Sequence, residues 1–85
     1  MKWKYAITYG MVKPGWTFEQ LEKDMAKYKA EVEKKGGKLV FWGHPFGVAE
    51  GMIAVIDIEG HMNEYTNWGV SGPWTDDRTH FVMVH

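Results

Sequence analysis

Two segments of this chain are apolar at consecutive positions rather than at alternate ones: Leu39-Val40-Phe41-Trp42, and Met52-Ile53-Ala54-Val55-Ile56 followed by Asp57 and Ile58. A strand with one wet face alternates polar and apolar residues, whereas a run that is apolar throughout belongs to a strand covered on both sides. Eighty-five residues allow a single domain, 1–85, and few elements to do the covering. No cysteine is present, so no disulfide supplements a modest core. A second copy of the chain is the cover that remains. A homodimer is therefore expected, with a higher oligomer also open.

The rest of the chain supplies the other elements. Trp3, Tyr5, Ile7 and Tyr9 alternate with Lys2, Lys4, Ala6 and Thr8, which reads as a strand over 3–9. Gly10 to Gly15 reads as a loop. Thr17 is a helix N-cap, and Gln20 three residues on completes a capping box. Phe18, Leu21, Met25, Tyr28 and Val32 form one apolar stripe. Glu19, Glu22 and Asp24 lie early and Lys34 and Lys35 late, as the helix dipole favours, and Gly36-Gly37 ends the helix. A second strand runs from Lys38 to His44 and stops at Pro45. A third runs from Met52 to Ile58, antiparallel to the second across a short connection. Gly60 to Trp68 reads as a short helix with Met62, Tyr65 and Trp68 on its apolar side. Residues 71–77 carry turn chemistry, and a last strand spans Thr79–Val84.

The order is βαββαβ. Two right-handed crossovers place both helices on one face of a four-stranded antiparallel sheet of order 4-1-3-2, an α+β, ferredoxin-like arrangement. The other face is then apolar and open, and face-to-face pairing would close two copies into an α/β barrel.

With these assignments the chain resembles the dimeric α/β-barrel proteins. The likeness covers nearly the whole chain as topology and is sharpest in the second half. There Lys38-Leu39-Val40 leads to His44, then to a glycine-containing loop and to Gly51-Met52-Ile53-Ala54-Val55-Ile56-Asp57. A helix holding Trp68, then Trp74, and a closing apolar strand follow. It is similar to a small branch of that group. The group includes cofactor-free oxygenases, haem-degrading monooxygenases, isomerases, dehydratases and effector-binding modules, so the resemblance implies a fold and leaves the function open.

Several residues could carry chemistry. His44 stands at a strand end beside a loop, and histidine is the side chain type suited to acid or base work near neutral pH. Glu50 lies across the hairpin, where it could orient the imidazole. Asp57 interrupts an apolar strand and would be a base if buried alone; more often such a residue sits at the strand's end, caps the next helix or meets a lysine. Five tryptophans, four tyrosines and four phenylalanines exceed what one small core needs. Tyr9, Trp42, Trp68 and His80 are the candidates to line a pocket for a flat organic molecule. The four histidines form no local pair of metal-ligand spacing, so no metal is expected. No cofactor is expected either. The resemblance implies a helix tryptophan and a histidine around haem in some members. Trp68 matches the first, but the asparagine expected near the start of strand one is replaced by Tyr5, Ala6, Ile7 and Thr8.

Charge excludes other classes. The net charge is −1 and Arg78 is the single arginine, so there is no basic nucleic-acid footprint. The first loop, Gly10 to Gly15, lacks the arginine of a phosphate cradle. No run approaches the roughly 20 apolar residues of a membrane span, and the first residues lack the apolar core of a signal peptide. The expectation is a cytoplasmic homodimer that binds a small hydrophobic or aromatic molecule without catalysis, in the manner of an effector-binding module. The alternative is a cofactor-independent enzyme of monooxygenase, isomerase or dehydratase type, with His44 as acid/base.

Overall fold

Strand β1 (Lys2–Val12) is the spine of the sheet. In the computed structural model, which describes residues 2–58 and 72–85, it is followed by α1 (Phe18–Lys34), β2 (Lys38–Gly43), β3 (Met52–Asp57) and β4 (Trp74–Val84). The sheet order is β2-β3-β1-β4, which is the expected 4-1-3-2 read from its other edge. Every neighbouring pair is antiparallel. β3 and β4 both oppose β1, so they run parallel to each other. The helix expected over Gly60–Trp68 lies outside the described residues.

The helix forms where its caps place it. Thr17 is extended (φ −89°, ψ 162°) and its hydroxyl accepts the Gln20 amide at 3.1 Å. The capping box is only half made, because the Gln20 side chain turns one turn onward and donates to the Asp24 carboxylate at 3.1 and 3.2 Å. The Gln20 NH2 is drawn to the charged acceptor, which carries its carbonyl away from the Thr17 N–H that a capping box would use. At the other end Gly36, with φ 95°, lets the Gly37 amide donate to Val32 O and the Gly36 amide to Glu33 O, both at 3.1 Å. Those two bonds make a Schellman motif.

The core lies between α1 and one face of the sheet. Leu21, Met25, Tyr28 and Val32 pack on Ala6, Leu39, Met52, Ala54, Ile56 and Ile58. Phe18, expected in the same stripe, is instead 75% exposed, because the first turn of α1 overhangs the sheet. Small residues on β1 make room. A Cβ on Gly10 would stand 2.5 Å from Trp74 Cγ, and Trp74 in turn meets Tyr28 edge-to-face at 4.9 Å.

Two register shifts change which side chains share a face. One falls between Trp3 and Tyr5, and Trp3 packs against the core rather than alongside Tyr5, Ile7 and Tyr9 as alternation predicts. The second falls between Leu39 and Phe41. It allows Leu39 and Trp42 both to face the core while Val40 and Phe41, 47% and 52% exposed, are left outside. The consecutive apolar run of β2 therefore reflects a bulge on an edge strand as well as two apolar faces. A third shift, between Tyr9 and Met11, sits opposite Asp76, whose φ is 48°. The turn chemistry at 75–77 thus serves a bulge within a longer β4, which starts at Trp74 rather than Thr79.

Tyr5, Ile7, Tyr9, Ile53, Val55 and Val82 occupy the opposite face, in register across β3, β1 and β4. Among the described residues no helix packs over it. Gly10→Ala should destabilise the fold by about 1–3 kcal/mol, since the added methyl overpacks against Trp74. Urea denaturation followed by tryptophan fluorescence measures this; an unchanged midpoint would mean that the Trp74 contact is not tight.

Candidate functional site

β2 ends at Gly43, and His44 is the first residue beyond it. Its Nδ1 lies 2.9 Å from the Gly51 carbonyl across the base of the hairpin loop. A carbonyl only accepts, so Nδ1 carries the proton and Nε2 of the neutral ring is left with its lone pair. The ring is held edge-on by Phe18 at 5.6 Å and by Trp42 at 6.0 Å. Beside it is an open pocket of about 400 Å³ lined by Val12, Trp16, Thr17, Phe18, Leu21 and His44. The end of β1, the start of α1 and the end of β2 meet there. Lys13 Nζ stands over the Trp16 ring at 4.9 Å, which backs that wall. Among the described residues no carboxylate, lysine or arginine lines the pocket.

Glu50 does not join His44. Its carboxylate takes the guanidinium of Arg78, with Nε bonded to Oε2 and Nη2 donating to Oε1 at 3.4 Å. A forked cation is a stronger partner than a neutral imidazole. The hydrogen bond from Arg78 holds the Glu50 carboxyl below the usual carboxylate range, and Glu50 raises the Arg78 guanidinium. Arg78 also lies 4.3 Å over the Tyr9 ring, and its Nη1 donates to His80 Nε2 at 2.9 Å. His80 therefore accepts through Nε2 and carries its proton on Nδ1. Tyr9 and His80 meet edge-on at 6.4 Å. This group sits at one end of the open sheet face.

Asp57 is buried at the end of β3, and Lys4 Nζ approaches it to 2.7 Å. The expected residues thus separate into three places: His44 at the pocket with Trp42 against its ring but outside the pocket lining, Tyr9 with Glu50 and His80 around Arg78, and Asp57 with Lys4 at the far end of the face. Trp68 lies outside the described residues. Sequence reasoning passed over Arg78 as a site residue, and Val12, Trp16, Phe18 and Leu21 as pocket walls. The only signal for the walls was the adjacency of Trp16 and Phe18 to the N-cap, which acquires meaning once α1 is docked.

Among the described residues no three histidine, aspartate or glutamate side chains converge to hold a metal ion, and no helix is long and apolar enough to cross a membrane. No known protein family, curated protein or solved structure matches the chain.

The lowered Glu50 pKa has a definite sign. Stability from the Glu50–Arg78 pair is present above the unfolded carboxyl pKa and is lost as pH falls through the lower folded value. Wild-type protein should lose stability between about pH 5 and about pH 3 by more than the Glu50→Gln variant does. Thermal melts at closely spaced pH values measure the difference; parallel curves would show that the pair contributes nothing.

Proposed function

We propose that this chain binds a small hydrophobic or aromatic molecule, as an effector-like module rather than as an enzyme, and that it works as a homodimer. The observation that carries the binding reading is the pocket of about 400 Å³ with apolar and aromatic walls and a single imidazole at its mouth. Cavities of roughly 300–1,000 Å³ that are mostly apolar with a few placed polar groups are what organic ligands occupy. Absence of catalysis is favoured by the company His44 keeps. Glu50 is taken by Arg78 and Asp57 is held by Lys4, so neither carboxylate orients the imidazole. One observation favours the enzymatic alternative: the Gly51 bond leaves Nε2 as a free base. On the binding reading, a simple aromatic probe is recovered chemically unchanged.

Toluene tests the pocket directly. It should bind saturably, and Phe18→Ala should weaken it several-fold by removing an exposed wall without touching the core. Isothermal titration gives both constants. Equal affinity in the two proteins would move the ligand elsewhere.

The homodimer reading rests on the open face. Its middle is apolar, and its ends are closed by two ion pairs, Lys4–Asp57 and Glu50–Arg78. Each end is charge-balanced, so a second copy of the same face meets no like-charge barrier. The resemblance to dimeric α/β-barrel proteins points the same way. Light scattering on a size-exclusion peak should give twice the 9.8 kDa chain mass, and Phe41→Lys should shift the peak toward monomer with the fold intact. A wild-type monomer at micromolar concentration would contradict this part of the proposal.

A further inference from the structure

We infer that the pocket beside His44 selects a neutral aromatic molecule carrying a hydroxyl group, a simple phenol, over the bare hydrocarbon and over the carboxylate of the same skeleton. This rests on the binding reading above and specifies its ligand. Among the described residues the polar side chains at the pocket are two, His44 and Thr17. His44 Nδ1 is committed to the Gly51 carbonyl, so the neutral ring offers a ligand an acceptor at Nε2. The Thr17 hydroxyl accepts the Gln20 amide, and among the described residues its own proton is not used, so it offers a ligand a donor. A hydroxyl is the group whose one oxygen both donates and accepts, and it satisfies both. An ether accepts only and a hydrocarbon does neither.

The walls select the remainder of the molecule. Val12, Trp16, Phe18 and Leu21 are apolar or aromatic, and among the described residues no charged side chain lines the pocket. A carboxylate would lose hydration there without a cation to pair with. The positive end of α1 does attract anions, but Glu19 in its first turn opposes that. Phe18 and Trp42 hold the imidazole edge-on from two directions, so the acceptor is oriented before a ligand arrives.

Four probes of one skeleton test the inference by isothermal titration on the intact chain: toluene, p-cresol, 4-methylanisole and p-toluate. p-Cresol should bind about ten- to a hundredfold tighter than toluene, the amount that two net hydrogen bonds contribute. 4-Methylanisole, which can accept from Thr17 but cannot donate to Nε2, should fall between toluene and p-cresol, and p-toluate should be the weakest. His44→Phe, which keeps an aromatic ring but has no acceptor, should lower the ratio of p-cresol to toluene affinity to about that which 4-methylanisole shows over toluene in the wild type. Equal affinity for p-cresol, toluene and 4-methylanisole, or tightest binding of p-toluate, would overturn the inference while leaving an apolar pocket in place. Failure of toluene and p-cresol alike at millimolar concentration would overturn the binding reading itself.

Discussion

The close approach of α1 and Trp74 to the middle of the sheet governs this structure, and three small residues on β1 permit it. Ala6, Thr8 and Gly10 follow one another on the helix side, opposite Ile56, Ala54 and Met52 of β3. Gly10 admits the Trp74 ring, and Trp74 meets Tyr28 on α1. Once that contact seats the helix, its first turn overhangs the sheet edge and brings Trp16, Phe18 and Leu21 beside His44. The pocket is thus a consequence of packing at the other side of the same helix. The buried Thr8 is accommodated because its hydroxyl meets that of Thr79 at 2.9 Å.

Much of this architecture is legible in the sequence, because each element has its own local signal. The stripe from Leu21 to Val32, the Thr17 cap and the Gly36-Gly37 stop define α1 from residues a few positions apart. The antiparallel order follows from connection lengths and crossover handedness. Register shifts are less legible. A bulge inserts one residue and turns the side chains beyond it to the other face. No residue type marks the one at Trp3–Tyr5, so alternation assigns Trp3 to the wrong face. The one at Leu39–Phe41 turns an apparently two-faced strand into one that buries Leu39 and Trp42 and exposes Phe41.

The candidate site was legible only in part, for a related reason. His44 could be singled out by type and by its place at a strand end. Its partner could not, since the choice between Glu50 and the Gly51 carbonyl depends on where Arg78 falls, twenty-eight residues beyond Glu50. Arg78 reaches Glu50 because β4 starts early and is bulged at Asp76, neither of which sequence pattern reveals. The outcome separates two polar systems. Arg78 gathers Tyr9, Glu50 and His80 on the open face, while His44 stays with aromatic neighbours at the helix edge.

On the proposed reading, that separation would give the two faces of the sheet different tasks, ligand binding at the helix side and self-association at the other. The most direct test follows methyl resonances during titration with p-cresol. Val12 and Leu21 line the pocket, whereas Ile7, Val55 and Val82 lie on the open face. Saturable shifts at Val12 and Leu21, with Ile7, Val55 and Val82 unmoved, are the predicted result. Shifts confined to Ile7, Val55 and Val82 would place the ligand between the sheets and contradict the assignment.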